Sequence, residues 1–383
     1  MIAYDRKSLD AQQTAEYAER WRKKGLFSEE TSQQIREQHQ SGFYSPNVFV
    51  RIGLAVFGAV MLLACVGLVG LILSPDSSQS VAVLGVLFGL ACLFVLEVQL
   101  IRNKRHFGSG LDDVLLYAGT TAIISGLLLL FDMPGGLATY IVVLPFLVAG
   151  SIRYLDRLMA AGAFVCALLM VLHIAKDVPR VAVYVLPLTG MVFSLLVYRF
   201  ARTGGVRVGW RYWSSVLAVV ELLALLAFYA SGNYWVVQQA GHYYFGMDTP
   251  PAGGLFWAFT FIVPAYCIFR GIRAKDRLML DAGIACMAAA IFTFRYYFNV
   301  LPLAWAAAIG GAVLFSISWF SIRYLRSHSH AYAYEPEEKD TLLQRVQEEI
   351  FDNTSVGQAA PTTNEKTSME GGQFGGGGSG GDF

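Results

Sequence analysis

The sequence predicts an all-α protein: a polytopic membrane helical bundle of about ten transmembrane helices in hairpin repeats, with a short N-terminal helical hairpin and a disordered Gly-rich C-terminal tail. Three observations carry this expectation. The 383 residues are 55% hydrophobic and only 15% charged, with a mean hydropathy of +0.48. A soluble domain carries about 25% charged residues, so this chain cannot cover a water-facing surface. Apolar runs of about 20 residues, the length that crosses a bilayer as a helix, recur along the chain. Lys and Arg collect in alternate loops between those runs.

The N-terminal "MIAYDRKSLDAQQTAEYAER" is polar and reads as no signal peptide. Ala11, Ala15, Ala18 and Trp21 recur at helical spacing, and Gly25 after the basic "RWRKK" is a helix-stop signal. Ser28 is placed to cap a second helix, "EETSQQIREQHQ", closed by Gly42. Residues 1–48 thus read as a cytoplasmic helical head that rests on the membrane domain or on a partner. Ten spans follow within 49–325: Ile52–Leu73, Val81–Ile101, Val114–Phe131, Leu137–Ile152, Leu158–Ile174, Val181–Tyr198, Tyr212–Ala230, Leu255–Phe269, Leu278–Phe294 and Leu301–Ile322. In 326–352 the sequence predicts a linker and an amphipathic helix, with Thr341 and Gln344 as a capping box. Residues 353–383 end in "GGQFGGGGSGGDF", a composition that favours disorder.

Orientation follows from the basic residues. With the N-terminus cytoplasmic, Arg102, Lys104, Arg105, Arg153, Arg157, Arg199, Arg202, Arg207, Arg211, Arg270, Arg273, Lys275 and Arg277 fall on one side, and only Lys176, Arg180 and Arg295 on the other. The expected placement is a cell inner membrane with both ends cytoplasmic and the lipid bilayer as principal partner. A net charge of +1 gives no reason to expect nucleic acid.

"SIRYLDRLM" from Ser151 and "GIRAKDRLM" from Gly271 repeat 120 residues apart, each between an inward and an outward span, and Cys166 and Cys286 keep the same offset. This is a parallel repeat, unlike the inverted repeats of many transporters. Arg153, Asp156, Arg157, Arg273, Asp276 and Arg277 read as topology anchors, with each aspartate placed to pair with the arginine three residues before it. Pro145, Pro187, Pro264 and Pro302 recur on a helical-hairpin unit of about forty residues, a period typical of structural repeats. They either shape packing or line a common cavity.

Glu221 lies about 15 Å beyond Arg211 at 1.5 Å per residue, near mid-bilayer, and is the candidate for ion or proton handling. Glu97 sits about a turn from Arg102, and Asp281 four residues after Arg277. The segment "SGNYWVVQQAGHYYFGMDTPPAGG" reads as a long outer loop, with Tyr234, Trp235, His242, Tyr243 and Tyr244 as an interfacial belt or a recognition surface. The pairs His173 with Asp177 and His328 with His330 are too few for a metal site. The five cysteines lie in apolar runs without ligand spacing. No metal, cofactor or catalytic residue is expected.

The head "AERWRKKGLFSEETSQQIREQ" followed by "SGFYSPNVFVRIGLAVFG" resembles an uncharacterised bacterial family of polytopic membrane proteins with an N-terminal cytoplasmic helical domain of unknown function. Trp21, Gly25, Leu26, Ser28, Glu30 and Ile35 carry the resemblance, which assigns no catalytic residue. The favoured function is a non-enzymatic scaffold or sensor that couples the head, or the C-terminal helix, to a cytoplasmic protein partner. The alternative is a secondary transporter or lipid-handling protein with a cavity around Glu221.

Overall fold

The computed structural model of the protein describes residues 2–298, other than 24–25, 134, 177–181 and 251, together with 311, 312, 315, 319 and 323. The chain separates into two units, Met1–Pro336 and Glu337–Phe383, and the second lies outside the described residues. Most of the expected tenth span, and all of the helix at Thr341 and Gln344 and of the glycine-rich tail, lie outside them as well.

Apolar composition dictates most of what is seen. Two helices form the head, α1 (Arg6–Lys23) and α2 (Glu29–Gln38). Long apolar helices follow: α3 (Val48–Leu73), α4 (Ser78–Val95), α5 (Leu111–Leu130), α6 (Leu137–Tyr154), α7 (Arg157–Lys176), α8 (Ala182–Val206) and α9 (Ser214–Gly232). After the short α10 (Tyr234–Phe245) come α11 (Gly253–Arg273) and α12 (Arg277–Tyr297). Among the described residues nine stretches are long and apolar enough to cross a membrane, and they coincide with the first nine expected spans. Large apolar side chains such as Phe49, Val56, Leu63 and Leu71 of α3 point outward, which a bilayer tolerates and water does not. This is a multi-pass membrane protein.

The spans pack as consecutive hairpins, α4 with α5, α6 with α7, α8 with α9 and α11 with α12, while α3 rests on α5. Lipid tails compete with leucine for apolar contact, so close backbone approach decides which helices pair. Gly89 of α4 and Gly119 of α5 make that approach. A Cβ at Gly89 would stand 2.5 Å from the Gly119 carbonyl oxygen.

The two repeat phrases build the same turn. Leu155 and Lys275 both adopt the left-handed conformation, with φ of 56° and 54°. Asp156 and Asp276 then cap α7 and α12, accepting from the backbone N–H of Met159 at 2.7 Å and of Met279 at 3.2 Å. Met159, Met279, Cys166 and Cys286 are all buried. The expected pairing of each aspartate with the arginine three residues earlier does not form, because the carboxylates are engaged with helix N-termini. Of the three prolines of the repeat that are described, Pro264 is fully buried and Pro145 is exposed, so they do not converge on one cavity. Pro302 lies outside the described residues.

The head is anchored to the same core as the spans. Ser28 caps α2 as expected, through Thr31 N–H at 3.1 Å. The helix ends at Gln38, before Gly42, and Gly25 lies outside the described residues. Arg22 and Arg36 of the two helices share Glu19, at 2.6 and 2.8 Å. Tyr4 and Leu9 are buried with Cys92, Leu96, Leu100, Leu115 and Met159. Ala3 N–H donates to the Arg153 carbonyl at 2.9 Å. Past α2, Tyr44 pairs with residues 105–107 through Tyr44 N–H to Arg105 O at 2.9 Å and Phe107 N–H to Tyr44 O at 3.2 Å.

Gly89→Leu should therefore force α4 from α5 and cost about 1–3 kcal/mol, read as an earlier midpoint in detergent-denaturant unfolding. Gly67→Leu, where nothing lies within 4 Å of an added Cβ, should leave the midpoint unchanged. Equal midpoints for the two variants would contradict this account of the hairpin.

Candidate functional site

The head roofs a cavity of about 430 Å³. Leu9, Gln12, Gln13, Glu16 and Tyr17 of α1 line its upper side, with Tyr4 at one end. Asp112, Asp113 and Tyr117 come from the first turns of α5, and Tyr154 to Leu158 from the α6–α7 turn. Arg51 of α3 and Tyr212, just before α9, complete the wall. The first repeat phrase therefore contributes to this site, through Asp156 and Arg157. The chemistry of the wall is acidic and aromatic. Arg51 reaches Asp113 at 2.5 Å, and the Tyr117 hydroxyl donates to Asp156 at 2.8 Å.

Asp112 is buried at 4% exposure. Its Oδ1 accepts from the Ser109 hydroxyl at 3.1 Å, and Ser109 Oγ lies 2.9 Å from His106 Nδ1. With the hydroxyl proton directed to Asp112, Ser109 is left to accept from His106. In this order, His–Ser–Asp, the histidine is a donor and not a base to the serine, and Ser109 is wholly buried, out of reach of a substrate. The three residues form a structural relay and not a nucleophile with its base. None of them was singled out from the sequence. Histidine, serine and aspartate at i, i+3 and i+6 ahead of an apolar run was the available signal.

The head closes the cavity by a second set of contacts. Asp10 accepts from Arg211 Nη2 at 2.6 Å and from the Tyr212 hydroxyl at 2.8 Å. Burial, with Asp112 and Asp113 nearby, pushes the Tyr4 phenol well above its ordinary range, so it stays protonated. Among the described residues no group of three or more His, Cys, Asp or Glu is arranged to hold a metal ion.

Glu221 belongs to a different cluster. Its Oε1 lies 3.1 Å from Arg202 Nη1 of α8, and the same nitrogen reaches Asp276 Oδ2 at 2.5 Å and the Tyr198 hydroxyl at 2.8 Å. A partner from another span was required, and Arg202 is that partner. Asp276 is the N-cap of α12, so the cluster joins α8, α9 and the α11–α12 turn at one end of the bundle. Glu221 lines neither the head cavity nor the two apolar cavities beside the spans. Of the other acidic residues near helix ends, Glu97 binds Arg153 at 2.5 Å and Arg102 at 3.0 Å, and Asp281 faces Arg277 at 3.8 Å. Arg273 is exposed.

The expected outer loop is a helix. Asn233 caps α10 through the N–H groups of Trp235 and Val236, at 3.0 and 3.3 Å, and Gly246 ends it with φ of 63°. Tyr234 stacks on Trp257 with ring centroids 4.7 Å apart, and Trp235 packs edge-on against Phe292 and Tyr296. These two aromatics pack against α11 and α12, whereas His242, Tyr243 and Tyr244 are exposed. Beneath α10 lies an apolar cavity of about 420 Å³, lined among others by Phe164, Leu172, Pro187, Leu226 and Val237. His173 also lines it and packs against Tyr140, while its expected partner Asp177 lies outside the described residues.

Burial holds the His106 imidazole below its ordinary range, with Asp112 opposing the shift and Lys104 adding to it. A base whose folded pKa lies below its unfolded value contributes stability that is fully present above about pH 6.5 and is lost as the pH falls towards the folded value. Acidification from about pH 7 to 5 should then loosen the pairing of Tyr44 with residues 105–107. The measurement is amide exchange at Tyr44 and Phe107, corrected for intrinsic rates, and His106→Gln should remove the pH dependence. Equal protection at both pH values in the unmodified protein would count against this role.

No protein-family model, no curated protein and no solved structure matches the chain.

Proposed function

We propose that the protein is a non-enzymatic membrane scaffold or sensor of a bacterial inner membrane, with both termini cytoplasmic, in which the head couples a protein partner to the spans. The orientation rests on the basic residues at the head-bearing ends of the spans. Membership in the uncharacterised polytopic family rests on the head motif around Trp21 and Ser28. The single observation that carries the functional reading is that Tyr4 of the head is buried in the same apolar cluster as residues of α4, α5 and α7. A head attached in this way responds to any rearrangement of those helices.

Magnitudes rank its attachments. The Asp10–Arg211 pair is exposed by about a third or more on both sides, at 41% and 35%, so it contributes roughly 0.5–1 kcal/mol. Truncating a buried aromatic such as Tyr4 costs about 3 kcal/mol. Tyr4→Ala should raise proteolytic cleavage in the 39–47 linker by roughly a hundredfold, and Asp10→Asn by about threefold. For the functional claim, a photocrosslinker at exposed Glu30 should report a different set of partners in Tyr4→Ala than in the unmodified protein. An unchanged set, with the linker opened, would sink the sensor reading.

Lipid handling is the second reading, favoured by the apolar cavity beneath α10. Its size is that of a small-molecule site, about 300–1,000 Å³. Ala227→Trp should fill it and abolish retention of a single-chain lipid, read by mass spectrometry of the purified protein. Lipid retained at the same stoichiometry would remove this reading.

A further inference from the structure

The head cavity has an unbalanced wall. Four carboxylates, of Glu16, Asp112, Asp113 and Asp156, face two guanidinium groups, of Arg51 and Arg157. Arg51 is committed to Asp113, and Arg157 is exposed at the rim of the turn. Hydrogen-bonding capacity is unbalanced in the same sense. Asp112 is 4% exposed, and only its Oδ1 is engaged among the described residues. Gln12 donates to Glu16 at 3.0 Å, while its Oε1 is buried with no hydrogen-bond partner among the described residues. Two of the five lining tyrosine hydroxyls donate to other carboxylates, Tyr117 to Asp156 and Tyr212 to Asp10. A buried acceptor without a donor, as at Gln12 Oε1, is costly, and a ligand that brings N–H groups removes the cost.

The rings point the same way. Tyr4, Tyr17, Tyr117, Tyr154 and Tyr212 line the cavity with Phe107. Aromatic faces attract ammonium groups, and the attraction strengthens where water is excluded. A metal ion fits poorly, since the carboxylates are not clustered as ligands. A volume of about 430 Å³ falls in the range of small-molecule sites.

We infer that the cavity between the head and the spans binds a small organic amine, a mono- or diammonium ion held by Asp112 and Glu16 against the tyrosine rings. The inference rests on the sensor reading and gives that sensor its ligand. Asp112 belongs to the floor, on α5, and Glu16 to the roof, on α1, so one bound amine bridges the head and the spans. Occupancy holds the head closed because the complete site exists only in the closed form.

The test uses the full-length protein in nanodiscs, with putrescine as the probe, by isothermal titration calorimetry. Putrescine should bind saturably with one site per chain. Asp112→Asn should weaken it by about tenfold or more, the loss expected for a hydrogen bond to a charged group. Glu16→Gln changes an exposed position on the head, leaves the floor intact, and should weaken binding by a few fold. It keeps the proposal testable if the floor variant does not fold. Tetramethylammonium, which has no N–H and keeps only the attraction to the rings, should compete at least about tenfold more weakly, and Mg²⁺ should not compete. Saturating putrescine should also slow cleavage in the 39–47 linker. No saturable binding, unchanged affinity in both variants, or equal binding by tetramethylammonium or Mg²⁺ would overturn the proposal. If putrescine fails to bind while Tyr4→Ala still opens the linker and changes the crosslinks, the ligand is refuted and the head reading stands. If Tyr4→Ala leaves the crosslinks unchanged while putrescine binds, the sensor fails and the amine site survives.

Discussion

A carboxylate taken out of water without a cation or a donor costs several kcal/mol, and the acidic residues around these spans are arranged to avoid that cost. Glu97 is answered by Arg153 and Arg102, Asp113 by Arg51, Asp10 by Arg211, and Glu221 and Asp276 together by Arg202. Most of these pairs join two elements: the helical stretch Leu96–Asn103 that continues α4 to α6, α3 to α5, the head to the segment before α9, and α8 to both α9 and the α11–α12 turn. In lipid, apolar packing is nearly indifferent to which leucine meets which. Polar pins and glycine approaches have a geometry, so they choose the register. The first span shows the converse. It is pinned at one end, by Arg51 to Asp113 and by Gly58 against Leu111, and most of its remaining length is exposed.

The repeated phrase illustrates how one backbone device serves two connections. In both copies a left-handed residue and a capping aspartate reverse the chain, and a buried methionine follows. The free side of each aspartate then differs. Asp156 takes the Tyr117 hydroxyl and so belongs to the head cavity, whereas Asp276 takes Arg202 and so closes the Glu221 cluster. The motif therefore specifies the turn and leaves its outward chemistry to whatever the neighbouring helices supply. The arginines that made the phrase conspicuous are not required by the turn geometry.

Hydropathy revealed the spans because a bilayer imposes a length and a composition that few other environments demand. Ser28 as a cap was legible for a similar reason: the signal and its target lie within four residues. The local pairs of Arg277 with Asp281 and of Arg102 with Glu97 were legible from their spacing, and the long-range ion pairs were not. Arg202 and Asp276 are 74 residues apart, and Arg211 and Asp10 are 201 apart, so no local pattern marks them. The same limit misplaced the aspartates of the repeat, because a local rule offered Arg153 and Arg273 while the structure used helix N-termini. The helix α10 was missed for another reason. Asn233 and Gly246 are its start and stop signals and were present, but the absence of Lys and Arg and the run of aromatic residues suggested a loop at the interface. The residues of the head cavity come from five separate stretches, and their convergence follows only once Tyr4 is placed in the core.

That placement bears on how strongly the head is held. Burying a tyrosine ring gives about 2–3 kcal/mol, so the Tyr4 contact by itself holds the head closed roughly a hundredfold more often than open. An attachment ten times stronger would make the head insensitive to small rearrangements of α4 and α5. One resting on the Asp10 pair alone would leave it open a large part of the time. An equilibrium of this size can be shifted by a differential interaction of one or two kcal/mol, which is the scale of a single charge-assisted hydrogen bond. Gln12, whose Oε1 is buried without a partner among the described residues, and the buried Asp112 sit on opposite sides of the head cavity. They are brought together only when the head is closed, so the closed state carries a strained polar wall that a donor relieves.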